Sequence, residues 1–183
     1  MPDKHQSAPN DLWAITSYFN PMGYRRRWVN YHTFRRNLAV PLLTIELAYH
    51  DDFELRPGDA TRLIQLRSDQ VMWQKERLLN LALQQLPPEC RKVAWLDCDI
   101  LFDCNNWASL TSQALEAFTL VQPFSKAHYL NRSIDLSRPL VDQAYLERAS
   151  FASTYVDGIV DLTDHSGSSQ NYTSQGIKHD YSP

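Results

Sequence analysis

The chain has 183 residues, 43% of them apolar, enough for one buried core and too few to require two complete domains. A formal net charge of −3 excludes a broad basic field, so nucleic acid is not an expected partner despite the run Arg25-Arg26-Arg27, which reads first as a solvated helix face and alternatively as a contact for a phosphate or an acceptor. Three cysteines without C-x-x-C spacing (Cys90, Cys98, Cys104) predict reduced thiols, and a polar start with no run of 18 apolar residues predicts a cytoplasmic protein with no transmembrane segment.

Leu12–Phe19 reads as a first strand that ends at the turn Asn20-Pro21-Met22-Gly23. A helix follows, with Trp28, Tyr31, Phe34 and Leu38 on one stripe, until Pro41 ends it. Leu42–Tyr49 is a second strand, Arg56-Pro57-Gly58-Asp59 a turn and Thr61–Arg67 a third strand. Ser68 or Asp69 caps the next helix, whose stripe includes Met72, Leu79, Leu83 and Leu86 and which Pro87-Pro88 terminates. The apolar run Lys92–Phe102 is expected to be a buried strand. Asn106 caps a helix with Trp107, Leu110, Ala114 and Phe118 at helical spacing, and Leu120–Phe124 reads as a fifth strand. Tyr145–Phe151 suggests a short helix, while Thr163–Gly176 is polar and aperiodic, as in a loop or a disordered tail. The alternation implies an α/β fold, a Rossmann-like, open, mostly parallel sheet with helices on both faces over residues 12–130, followed by a weakly patterned extension over 131–183.

The most informative segment is Trp95-Leu96-Asp97-Cys98-Asp99-Ile100-Leu101-Phe102. On a strand, Asp97 and Asp99 share a face about 7 Å apart, from a rise of ~3.3 Å per residue. Two buried anions that close raise each other's pKa unless a cation sits beside them. A divalent metal with oxygen ligands answers that requirement and points to a phosphate-bearing ligand. The competing structural reading ends the strand at Leu96 and leaves both aspartates in a loop.

This Asp-x-Asp strand, preceded by Trp73-Gln74-Lys75-Glu76-Arg77-Leu78-Leu79-Asn80-Leu81-Ala82-Leu83, resembles the core of the GT-A-fold glycosyltransferases that use nucleotide-diphosphate sugars, in particular galactosyltransferase-like and family 2-like members. Thr16-Ser17-Tyr18-Phe19-Asn20 resembles their nucleotide-contacting loop, and Glu46 falls at an acidic position of the second strand. The resemblance covers roughly residues 12–124 and implies a nucleotide-diphosphate sugar, a UDP-sugar first, as ligand. It implies that Asp99 coordinates Mn²⁺ or Mg²⁺, that Asp97 binds the metal or the ribose, and that Lys75, Arg77 and Asn80 assist at the phosphates, with Thr16, Tyr18, Asn20 and Glu46 at the nucleotide. Such domains continue into an acceptor-binding half carrying a late acidic base. Here about 50 weakly patterned residues stand in its place, which implies a missing C-terminal half or a protein partner that supplies it, and leaves the catalytic base unknown, with Asp157, Asp161 or Asp164 as guesses.

Two other classes compete: a truncated, non-catalytic scaffold or partner-binding module, and, ranking lower, an Asp-x-Asp phosphohydrolase, which would place its pair on the first strand rather than after three others. The glycines form neither a G-x-G-x-x-G nor a P-loop, the histidines lack zinc-hydrolase spacing, His50-Asp51-Asp52 reads as a polar loop, and no G-x-S-x-G elbow is present.

Overall fold

A computed structural model of the chain describes residues 11–49, 52–70, 74–131, 133–135, 138 and 141–156. They fall into two compact units, one running to Pro123 together with Asp135–Asp142, the other comprising Phe124–Ile134 and residues from Gln143 on.

The first unit is built on four parallel strands, β1 (Leu12–Phe19), β2 (Leu42–Ala48), β3 (Arg62–Arg67) and β4 (Lys92–Trp95), in the order β3-β2-β1-β4. β2 lies inside the sheet and is buried at every position, which explains its near-continuous apolar sequence LLTIELA. Strand alternation separates two cores. Leu12, Ala14, Tyr18, Leu42, Ala94 and Leu96 pack with Tyr31 and Phe34 of α1 (Arg25–Arg36) and with Trp107 and Ala108 of α3 (Trp107–Ala117). Ile15, Leu43, Ile45 and Leu47 pack on the opposite face with Leu78, Leu79 and Ala82 of α2 (Gln74–Leu83). The unit is thus a Rossmann-like α/β sheet with helices on both faces.

Three expectations are corrected here. The strand expected over Lys92–Phe102 ends at Trp95: its last ladder pair is with Ile15, which accepts the Leu96 N–H at 3.1 Å, and the next bond to β1 comes from the Thr16 hydroxyl, which donates to the Leu96 carbonyl, instead of from the backbone. Leu120–Phe124 is not a strand: Leu120 is 90% exposed, and Pro123 lacks the N–H that a ladder needs. The helix expected at Tyr145–Phe151 is instead strand β6 (Ala144–Ala149), antiparallel to β5 (Lys126–Leu130), followed by a six-residue helix, α4 (Phe151–Val156). Cross-strand pairing overrides local helix preference there, with Glu147 meeting Lys126 at 2.7 Å and His128 at 3.5 Å.

The other expected elements form, and β1, β2, β3 and α3 keep their expected bounds to within a residue or so. In contrast, α1 stops at Arg36, short of Leu38 and Pro41. Likewise α2 stops at Leu83, short of Leu86, and does not begin at Ser68 or Asp69, where the Ser68 hydroxyl only accepts the Gln70 N–H at 3.1 Å. Asn106 occupies the N-cap of α3, but its side chain accepts from Cys104 instead of capping the helix. Met72 and Trp73 of the second helical pattern, and the tail from Asp157 on, lie outside the described residues. All three cysteines are free. Among the described residues no helix is long and apolar enough to cross a membrane.

Candidate functional site

The strand order fixes where a ligand crevice can open. β1 is followed by β2 and β3 on one side, and the chain then returns to place β4 on the other, so the topological switch point lies between the carboxyl ends of β1 and β4. Asp97 and Asp99 come immediately after β4, at that point.

The loop that carries them is held on both sides. Leu96 and Cys98 are buried while Asp97 and Asp99 are exposed, so the alternation of the strand continues past its last ladder pair and keeps both aspartates on the outer side. The Thr16 hydroxyl, buried midway along β1, donates to the Leu96 carbonyl at 2.7 Å. Beyond the loop, Ile100 and Phe102 pack on the core, with Phe102 stacked on Trp107 at 3.9 Å between ring centroids.

Their electrostatics differ from those of the buried pair expected. The Asp97 side chain is 57% exposed and bonded to the Lys75 ammonium, reaching from α2. Asp99 has no ion-pair partner among the described residues. Its carboxyl pKa is raised, by desolvation first and by Asp97 second, while Arg27 and Lys75 oppose the rise. Between them the Cys98 thiol is pushed up to about 11, by burial and then by Asp99, and so stays protonated at neutral pH.

Lys75 therefore meets the Asp-x-Asp segment, but Arg77 and Asn80 are exposed and show no bond to it. Helix geometry gives the reason: at 3.6 residues per turn Arg77 lies roughly 200° and Asn80 roughly 140° around α2 from Lys75. One helix cannot aim all three at the same carboxylates.

Beside this crevice, at the carboxyl ends of β1 and β2, a shallow hollow of about 100 Å³ is lined by Tyr18, Asn20, Glu46, Tyr49, Asp52 and Glu54, among others. Tyr18, Asn20 and Glu46 meet here, and all three are engaged within the protein. Glu46, 2% exposed, accepts the Glu54 and Leu55 N–H groups at 2.6 and 3.1 Å and the Gln65 amide at 2.8 Å. The Tyr18 hydroxyl and the Asn20 amide both donate to Glu54, the latter at 2.9 Å, and Asn20 also accepts the Tyr24 N–H at 2.9 Å. That bond and the Gly23 N–H to Asn20 carbonyl at 3.1 Å close the turn after β1, where Gly23 adopts a φ of 65° that favours glycine.

Two residues were not singled out by sequence reasoning. Glu54 organises the rim of the hollow, and its only sequence signal is its place shortly after β2. Arg27, within a triplet read as a solvated face, lies with its guanidinium 5.0 Å from the centre of the Phe19 ring, and its positive charge partly offsets the pKa rise that burial causes at Asp99, Cys98 and Tyr49. Its signal was positional, since a helix following β1 begins near the carboxyl end of that strand.

The donor chemistry suits a hard divalent ion only in company with a ligand. Among the described residues no group of three or more His, Cys, Asp or Glu side chains is arranged to hold a metal. Two carboxylates alone match the mode in which Mg²⁺ or Mn²⁺ takes its other oxygens from phosphates and water.

Comparison of the chain with protein families, curated proteins and solved structures gives no match.

Proposed function

We propose that the first unit binds a nucleotide-diphosphate sugar, a UDP-sugar first among them, across the carboxyl ends of β1, β2 and β4, and serves as a GT-A-type domain in sugar transfer. The observation that carries this reading is the coincidence of the Asp-x-Asp segment with the switch point of a β3-β2-β1-β4 parallel sheet. Asp97 and Asp99 would hold Mn²⁺ or Mg²⁺, which when bound supplies Lewis-acid stabilisation of the departing diphosphate. Thr16 fixes the Leu96 carbonyl and with it the direction of both carboxylates. Lys75, the counter-charge of Asp97 in the free protein, becomes available to a phosphate oxygen once another cation takes that carboxylate. The hollow, rimmed by Asp52 and Glu54, accepts hydrogen bonds and repels anions, so it suits the sugar hydroxyls or ring N–H of the nucleoside rather than its phosphates. No residue is assigned as base.

The test is thermal unfolding of the full chain with Mn²⁺ plus UDP, in parallel with Asp97→Asn and Asp99→Asn. A ligand at 100 times its Kd adds about 2.7 kcal/mol, a readily visible shift. A metal-dependent shift lost in both variants supports the reading; a folded protein indifferent to UDP and to other nucleotide diphosphates overturns it.

A scaffold or partner-binding role is the second reading, and one observation favours it. β4 is an edge strand of only four residues, and its Trp95, on the α2 face of the sheet, is 51% exposed because α2 packs on β1 and β2 instead. Self-association together with silence toward nucleotides would select this reading.

A further inference from the structure

Two cations stand close to the Asp-x-Asp carboxylates, and they are not equivalent. Lys75 is bonded to Asp97. Arg27 enters none of the ion pairs found among the described residues, and its buried Nε–H has no hydrogen-bond partner there. Arg35 also has an orphaned Nε–H, but it sits more than two turns further along α1 and acts on Tyr31 in the core-facing stripe. Arg27 instead sits in the first turn of α1, with its guanidinium over Phe19, the last residue of β1. That stacking holds a rigid, planar fork of donors at the carboxyl end of the strand. Phe19 stands between Tyr18 and Asn20 in the chain, both of which line the hollow, and the Arg27 charge is felt at Tyr49 of the hollow and at Asp99 of the crevice, where it opposes the pKa rise that burial causes at each. The first turn of α1 contains no acidic residue, and its N-cap Tyr24 contributes no side-chain bond, so nothing local answers the positive charge.

We propose that Arg27 is the phosphate-contacting cation of this site, its guanidinium fork taking oxygens of a diphosphate that spans from the hollow to Asp99. The assignment rests on the crevice being the ligand site, but not on a metal or a sugar. A guanidinium matches two phosphate oxygens in one plane, whereas the charged groups on either side, Asp52 and Glu54 at the hollow and Asp99 in the crevice, are all carboxylates. In the free protein Lys75 is taken by Asp97, so Arg27 is the cation open to the anion.

The test titrates inorganic pyrophosphate calorimetrically into the full chain, first without divalent ions and then with Mg²⁺. Arg27→Met keeps a side chain over Phe19 and removes the charge; it is expected to lose at least tenfold in affinity while its unliganded Tm stays within about a degree. Arg27→Lys keeps the charge without the fork and is expected to fall in between, which also serves if the methionine variant fails to fold. Arg25→Met, altering an exposed neighbour, is expected to bind as the parent does. In metal-free buffer Asp99→Asn is expected to bind pyrophosphate more tightly than the parent, since a repelling anion is gone, even if the response to Mn²⁺ and UDP is absent. Equal affinity in the parent, Arg27→Met and Arg27→Lys, or no pyrophosphate binding by the parent, overturns the assignment.

Discussion

Two acidic regions lie side by side at the carboxyl edge of the sheet, and they are built on opposite principles. In the hollow beyond β1 and β2, Glu46 is fully buried and both its oxygens are occupied by donors from the protein, while Glu54 receives Tyr18 and Asn20. In the crevice between β1 and β4, Asp97 has one exposed ammonium and Asp99 has no ion-pair partner among the described residues. A carboxylate saturated from within is part of the frame; one left short of partners where a ligand can enter is available for chemistry. Mutation separates the two roles, because a frame residue costs stability and an available one does not.

The largest expected effect is therefore at Glu46. Glu46→Ala strands the Glu54 and Leu55 N–H groups and takes one of two acceptors from the Gln65 amide, which keeps the Leu55 carbonyl, and we expect a loss on the order of 3 kcal/mol, read as a lower urea midpoint at unchanged slope. A loss near zero would place Glu46 among the available acids and erase the contrast. Thr16→Val comes next. It removes the hydroxyl that holds the Leu96 carbonyl and keeps side-chain volume, so a loss of about 1 kcal/mol is expected in the same assay. If the crevice binds nucleotide, this variant should also weaken the response to Mn²⁺ plus UDP, since the direction of Asp97 and Asp99 depends on that carbonyl.

The legibility of the chain follows the same division. β1 and β2 could be read from sequence because their burial is nearly complete and leaves a continuous apolar signature. α1 and α3 declared themselves through Tyr31, Phe34 and Trp107, which the structure buries. The Asp-x-Asp position was legible too, yet its environment was not. An apolar run extending to Phe102 looks like one long strand, but Ile100 and Phe102 turn into the core from an irregular segment, and sequence does not tell that packing from a ladder. The hairpin of β5 and β6 was hidden because AYLERA has no period-2 pattern, and its register comes from Lys126, His128 and Glu147 meeting across strands. At the site, only the family resemblance points to Thr16, Tyr18, Asn20 and Glu46, as residues at the nucleotide. The shared attachment of Tyr18, Asn20 and Glu46 to the Glu54 segment was not legible, since a loop of irregular backbone leaves no period to read.

The smallest effects lie in the crevice, and their sign is the decisive feature. The folded state raises the pKa of Asp99, through desolvation and then through Asp97, so it binds that proton more tightly than the unfolded chain does. The stability linked to it is then complete below the unfolded value of about 3.9 and is lost as pH rises through the folded one. Asn at this position does not titrate. Asp99→Asn is expected to match the parent at the acid end and to be equal or slightly more stable at pH 7, with the gap opening as pH rises between them. Lys75→Met should make that gap larger by removing a charge that opposes the rise, while costing little itself, because an exposed pair such as Lys75–Asp97 contributes roughly 0–1 kcal/mol. Unfolding midpoints of the parent, both single variants and the double variant across this pH range decide the matter. A double-variant cycle with no coupling, or an Asp99→Asn chain that becomes less stable as pH rises, would mean that Asp99 is a frame residue like Glu46. A stability gain on removing a carboxylate instead marks a group whose presence costs the free protein something, which is what a site held ready for a cation or its ligand requires.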